Sequence, residues 1–304
     1  MIKMKKKQST RIKESTGDVV FHVVVYTALI LLAFICLYPL YFVFIASFSD
    51  PDEVFSGQVI GWIKGFTTIG YERIFSDSMI VRGFLNSVFY TVVGTMINLA
   101  VTLPAAYSLS RKDLIGRRGI MILFVITLYF NGGMIPTYLV VQNLGLYDTP
   151  VVLLVCAALS VFNMIIARTF FESTLPDEML EAAKIDGCDN VRFFFTMALP
   201  LSKSMIAVVA LYYGVTHWNS YMNALLYIND ADWKPLQLVL REMLISTEAL
   251  SVLVQGDATA ELQSKMVNVM QYAVIVVATV PMLIVFPCVQ KYFVKGVMIG
   301  AVKG

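Results

Sequence analysis

The pattern with the clearest spacing in this sequence is mechanical and not catalytic. Glu181-Ala182-Ala183 is followed after three residues by Gly187 and, after nine more, by Met197-Ala198-Leu199-Pro200. One carboxylate, two minimal side chains and a glycine suit a small surface that another protein approaches closely. They do not make a nucleophile or an acid–base pair. Cys36, Cys156, Cys188 and Cys288 show no CxxC or Cys/His spacing, so they read as free thiols; no metal ligand and no catalytic residue is assigned. The chain contains no G-x-x-x-x-G-K-[ST] phosphate loop and is not expected to hydrolyse ATP or to bind a cofactor of its own.

A second group combines rings and amides. Trp218, Asn219, Tyr221 and Asn223 lie close together, and Asn131 sits beside a Gly-Gly pair. Sugars are held by hydrogen bonds and by stacking on rings, so these five are candidates for a substrate path. The same groups equally serve as glue between helices. His217 could relay protons, but no expected span holds an acid, so it reads as a packing or pore-lining group.

The elements that must position these residues are membrane helices. Apolar residues make up 58% of the chain and charged residues only 14%, against about a quarter charged in soluble domains. Crossing a bilayer takes about 20 apolar residues. Six spans are expected at 19–48, 83–110, 119–142, 149–169, 202–228 and 266–290. The first is far longer than the ~7–15 apolar residues of a signal peptide, so it is read as uncleaved. Six spans put seventeen Lys and Arg on the side of both termini and six on the other. Positive residues stay inside, so both termini are expected in the cytoplasm. All 21 Asp and Glu fall outside the spans, which weakens an ion-coupled mechanism. Pro39, Pro104, Pro136, Pro281 and Pro287 should kink their helices, as gating points or as packing geometry.

The loop between the fourth and fifth spans then faces the cytoplasm. Thr174 is expected to cap a short helix, with Asp177 completing a capping box and Gly187 ending it. Met179, Ala182 and Ala183 should share one face. A second short helix near Val191 should feed the fifth span. A bland account is an amphipathic loop on the bilayer surface.

The spacing E-A-A-x3-G-x9-M-A-L-P resembles the EAA loop of bacterial ABC importer permeases, with Met197 in place of the usual isoleucine. That resemblance implies an all-α membrane protein with six transmembrane helices and the type I ABC importer permease fold. It implies that Glu181, Ala182, Ala183, Gly187, Leu199 and Pro200 contact a separate ATPase subunit. The stretch from Trp218 to Leu225 and the tail ending Lys303-Gly304 resemble the carbohydrate branch, including maltose-type and oligosaccharide permeases. In such systems the tail reaches the ATPase dimer. The implied layout is a basic cytoplasmic tail at 1–18, a first span and outer loop at 19–81, a permease core at 82–290 containing the coupling loop 172–200, and a cytoplasmic tail at 291–304. The implied partners are a second permease, two ATP-binding subunits holding ATP and Mg, and an extracellular sugar-binding protein, in a bacterial plasma membrane. The outer loops at 50–81 and 229–265 are expected to meet the partner permease and the binding protein. Alternatives are an importer of a non-sugar solute, an ion-coupled carrier, or a non-transporting scaffold.

Overall fold

The structure, a computed structural model, describes residues 15–156, 158–253 and 258–301, and among these there is no β-strand. Helix α1 (Thr16–Ser47) begins at Ser15, whose hydroxyl and the Asp18 carboxylate form a capping box. Its flank is apolar and exposed until Ile45, Ala46 and Ser47, which are buried. Such a surface needs lipid for solvent. Two short helices, α2 (Pro51–Phe55) and α3 (Ile69–Ser76), follow. The outer loop at 50–81, expected against a partner, packs at least in part on its own chain: a Cβ on Gly70 would lie 3.2 Å from both Val269 and Ala273.

Helix α4 (Ser78–Ser110) is the central post. Its 33 residues extend about 50 Å at 1.5 Å per residue, more than the ~30 Å apolar core of a bilayer. The third expected span is broken. Helix α5 (Arg117–Tyr129) and helix α6 (Met134–Asn143) meet at an angle of 112°. Asn131 Oδ1 accepts from Gly133 N at 2.9 Å and Gly133 adopts φ +93°, so the Asn-Gly-Gly run makes a turn. The fourth expected span is also divided, into α7 (Pro150–Val155) and α8 (Val161–Thr174).

Helix α9 (Asp177–Ile185), the single turn α10 (Asn190–Phe193), a π-helical turn at Phe194–Ala198 and α11 (Leu199–Leu201) form the loop before α12 (Lys203–Trp218). The chain bends 83° on entering α12. The fifth expected span therefore ends at Trp218, and α13 (Met222–Tyr227) follows a break. Helix α14 (Leu236–Leu253) and helix α15 (Ala258–Ala301) complete the chain. Three helical segments are long and apolar enough to cross a membrane, and the two bent pairs raise that number to five among the described residues. The expected span outside that number is the fourth, at 149–169, which falls on the short α7 and α8.

The second outer loop is also built into the bundle. Ser87 Oγ accepts from Leu236 N at 2.9 Å, and Tyr90 OH donates to Trp233 O at 2.9 Å. Asn86 Nδ2 donates to the carbonyls of Asp232 and Lys234, and Arg82 pairs with Asp232. Gly83 lets α14 approach: a Cβ there would sit 3.1 Å from Val239.

Helices α4 and α12 meet along a polar seam. His217, 4% exposed, has Nε2 2.6 Å from Asn98 Oδ1, and Gly94 leaves room for the imidazole. The histidine is thus a packed, hydrogen-bonded group. Tyr213 OH accepts from Ser160 N at 2.9 Å and shares a hydrogen bond with Thr102 Oγ1 at 2.7 Å. Trp218 Nε1 donates to Ala278 O at 3.0 Å, three residues before Pro281. Its ring meets Phe84 edge to face at 5.8 Å.

Candidate functional site

The first candidate surface is α9. One side is fixed by burial: Leu180 and Ala183 are 2% and 5% exposed. They enter a cluster with Tyr107, Phe171, Phe193 and Phe194. Tyr107 lies edge-on to Phe171 at 5.8 Å and tilted to Phe194 at 5.1 Å. Burying a leucine side chain stabilises by about 1.5–3 kcal/mol. The opposite side is bare: Glu181, Ala182, Ile185 and Gly187 are exposed, Ile185 by 87%. The expected shared face of Met179, Ala182 and Ala183 is therefore corrected. Successive residues on a helix point about 100° apart, so Ala183 turns into the chain's own core while Ala182 turns outward.

The helix start also differs from expectation. Thr174 ends α8, and Pro176 holds the N-cap position with no side-chain cap. The residue before a proline is pushed to extended backbone, and Leu175 separates the two helices accordingly. No capping box forms. Asp177 instead binds Arg111 at 3.1 Å and Lys112 at 2.8 Å. Lys184 reaches Asp113 at 3.5 Å, and Arg117 and Arg168 both hold Glu172, at 3.3 and 2.6 Å. Arg168 Nε also donates to Leu109 O at 3.0 Å. The turn after α4 thus clamps both ends of the α8–α9 connection. Gly187 closes α9 at φ +75°, with its N–H donating to Lys184 O at 3.0 Å. Leu199 and Pro200 form the short α11 that hands the chain to α12.

The clamp has a definite pH signature. The Lys112 ammonium, hydrogen-bonded to Asp177, holds that carboxyl below its ordinary value of 3.8. A depressed folded pKa contributes stability at pH above the unfolded value and loses it as pH falls through the folded one. Amide hydrogen exchange in 176–187 should therefore stay level from pH 7 to 5, after correction for intrinsic rates. Protection should fall only in acid below 3.8. A loss of protection near neutrality would refute the clamp.

The second candidate surface lies where α12 stops. His217 meets Asn98 and Gly94, midway along α4, so the break at Asn219–Tyr221 sits at membrane depth. Irregular backbone at that depth is tolerated only inside protein or beside water. Trp218 and Asn219 line a cavity of about 450 Å³ with Gln237 and Thr279. Tyr221, Gln237, Arg241 and Gln271 line an adjoining one of about 350 Å³. Trp218, Asn219 and Tyr221 are thereby brought to one wall. Asn223, exposed on α13, lines neither cavity. Nor does Asn131, whose carbonyl oxygen is spent on the α5–α6 turn. Lys303 and Gly304 lie outside the described residues. Among the described residues no cluster of His, Cys, Asp and Glu could hold a metal.

Gln237, Arg241 and Gln271 escaped the reading from sequence. The first two fell in an outer loop expected to meet the binding protein, and Gln271 is one of three amides, with Asn268 and Gln290, in an apolar span. The available signal was the i, i+4 spacing of Gln237 and Arg241.

Residues 78–299 match the family model for binding-protein-dependent transport system inner membrane components. The chain is similar to the polygalacturonan/rhamnogalacturonan transport system permease protein YtcP of Bacillus subtilis (strain 168), with 43% identity over 93% of this chain and 98% of that one. It is 26% identical to the lactose transport system permease protein LacG of Rhizobium radiobacter, over 92% of this chain and 96% of that one. A solved structure of a bacterial ABC transporter involved in the import of the acidic polysaccharide alginate contains a similar chain. It has a TM-score of 0.85 and 30% identity, covering 93% of this chain and 99% of the other.

Proposed function

The chain belongs to the family of binding-protein-dependent transport system inner membrane components, and from that membership we propose that it moves sugars or oligosaccharides through a paired membrane bundle. It is a membrane-embedded permease subunit of an ABC importer and works in a complex with other ABC components. The finer reading is ours. A second permease pairs with it, two ATPase subunits carrying ATP and Mg bind below, and an extracellular binding protein delivers the sugar. Both termini face the cytoplasm.

One observation carries this reading. Helix α9 is clamped to α4 and α8 yet leaves Glu181, Ala182 and Ile185 bare. Such a face transmits a push from a docked partner to the bundle, because its buried side is rigidly packed. The chain has no phosphate loop, so the push originates in another subunit. The wall of Trp218, Asn219, Tyr221 and Gln237 favours sugar over an apolar or purely ionic solute, since it offers rings and amides together. The similar proteins named for pectin polymers, lactose and alginate support the same class.

Proteoliposomes containing the assembled complex test the reading. Oligosaccharide uptake should require ATP inside and the ATPase subunits, and Ala182→Cys should cross-link to an ATPase subunit. Uptake by this chain and its partner permease alone would refute it.

A further inference from the structure

We propose that Arg241, with Gln237, Gln271 and Tyr221, binds the carboxylate-bearing sugar of an acidic oligosaccharide on its way through the permease. The inference rests on the import reading above and narrows its substrate to uronate-containing chains.

The site is built from three elements. Helix α14 places Gln237, Leu240, Arg241 and Leu244 on one stripe at i, i+3, i+4 and i+7. Helix α15 supplies Gln271 and Ile275, and the break after α12 supplies Tyr221. Together they enclose about 350 Å³, within the range of small-ligand sites. The cavity shares Gln237, Leu240 and Ile275 with the neighbouring one at Trp218 and Asn219. The two therefore adjoin along α14 and α15.

The charge in this wall lacks a structural partner. Arg241 is half-buried, and its guanidinium sits over the Tyr221 ring at 5.8 Å. Among the described residues no carboxylate lies within 4.0 Å of it; the adjacent Glu242 is taken by Lys234 at 2.7 Å. A half-buried charge is normally paired, so one without an acid in reach invites an anion. Tyr221 gives the guanidinium a cation–π contact, which does not consume its N–H donors. That planar fork matches a carboxylate in bidentate geometry, which a neutral sugar cannot supply. Gln237 and Gln271 line the same cavity, and their side-chain amides suit ring hydroxyls. One arginine flanked by two amides and a ring is the donor set a uronate requires.

The test uses the complete importer in proteoliposomes, offered a mixture of pectin and starch hydrolysates. Accumulated oligosaccharides are then profiled by mass. The wild type should accumulate uronate-containing species. Arg241→Gln should lower the ratio of acidic to neutral species by roughly ten-fold or more, the scale of one lost charge-assisted interaction. Arg241→Lys should give an intermediate ratio, because it keeps the charge and loses the fork. It also decides the matter where Arg241→Gln fails to assemble. An unchanged ratio overturns the proposal. Accumulation of neutral species alone by the wild type overturns it and leaves the import reading standing. Accumulation of nothing overturns both.

Discussion

Glu181→Lys and Gly187→Pro should each depress ATP-driven uptake by roughly 5- to 150-fold, the range of coupling energies of about 1–3 kcal/mol between communicating sites. Both variants should still reach the membrane, because neither side chain enters the packed cluster. Glu181 is exposed on α9, so reversing its charge acts only on what docks there. Gly187 sits at φ +75° with open space where a Cβ would project. Proline is locked near −65° and has no N–H. It therefore both redirects the chain and removes the bond to Lys184 O. Gly187→Ala separates the two effects, since it keeps the N–H and strains the backbone by about 1 kcal/mol. Its uptake should fall between the wild type and Gly187→Pro. The measurement is uptake per assembled complex. Equal uptake by all three Gly187 forms would show that α9 transmits nothing.

How legible this molecule was in its sequence differed from element to element. Long apolar runs located α1, α4 and α15 because a bilayer demands length and little else. The interior breaks were not legible. Asn131-Gly132-Gly133 carried a turn signal inside an apolar stretch, and hydropathy overrode it. The end of α12 at Trp218 had only the weak turn signal of Asn219-Ser220, which the apolar residues on either side outweighed. At the coupling loop the motif marked the right segment, but the cap was misplaced. Thr174 to Asp177 has capping-box spacing, yet Arg111 and Lys112, some 65 positions earlier, capture the Asp177 carboxylate. A local hydrogen bond lost to two long-range charges that sequence spacing cannot bring together. The same limit hid Arg241. It counted as one of six outer cations until α14 folded against α4 and α15 and placed it beside Tyr221.

The seam between α4 and α12 carries the largest expected effect on folding. Gly94→Ala should destabilise the permease by about 1–3 kcal/mol, the usual cost of overpacking a dense interior, and Gly94→Val by more. The added Cβ would lie 2.5 Å from the His217 ring, closer than real contacts allow. The imidazole has little room to retreat, being 4% exposed and bonded to Asn98 at 2.6 Å. The three nearest atoms to that Cβ all belong to His217, so the clash is with one side chain and not with backbone. This makes a specific demand on the double variant. His217→Ala alone should also destabilise, through an emptied volume and a lost hydrogen bond to Asn98. Combined with Gly94→Ala it should cost less than the sum of the two, because the new methyl then enters the space the ring vacates. Couplings between touching residues run to about 0.5–3 kcal/mol, which thermal unfolding in detergent resolves. Strict additivity would mean that the two helices already separate at this point, and α12 would then no longer be seated on α4 where its end opens the cavity wall.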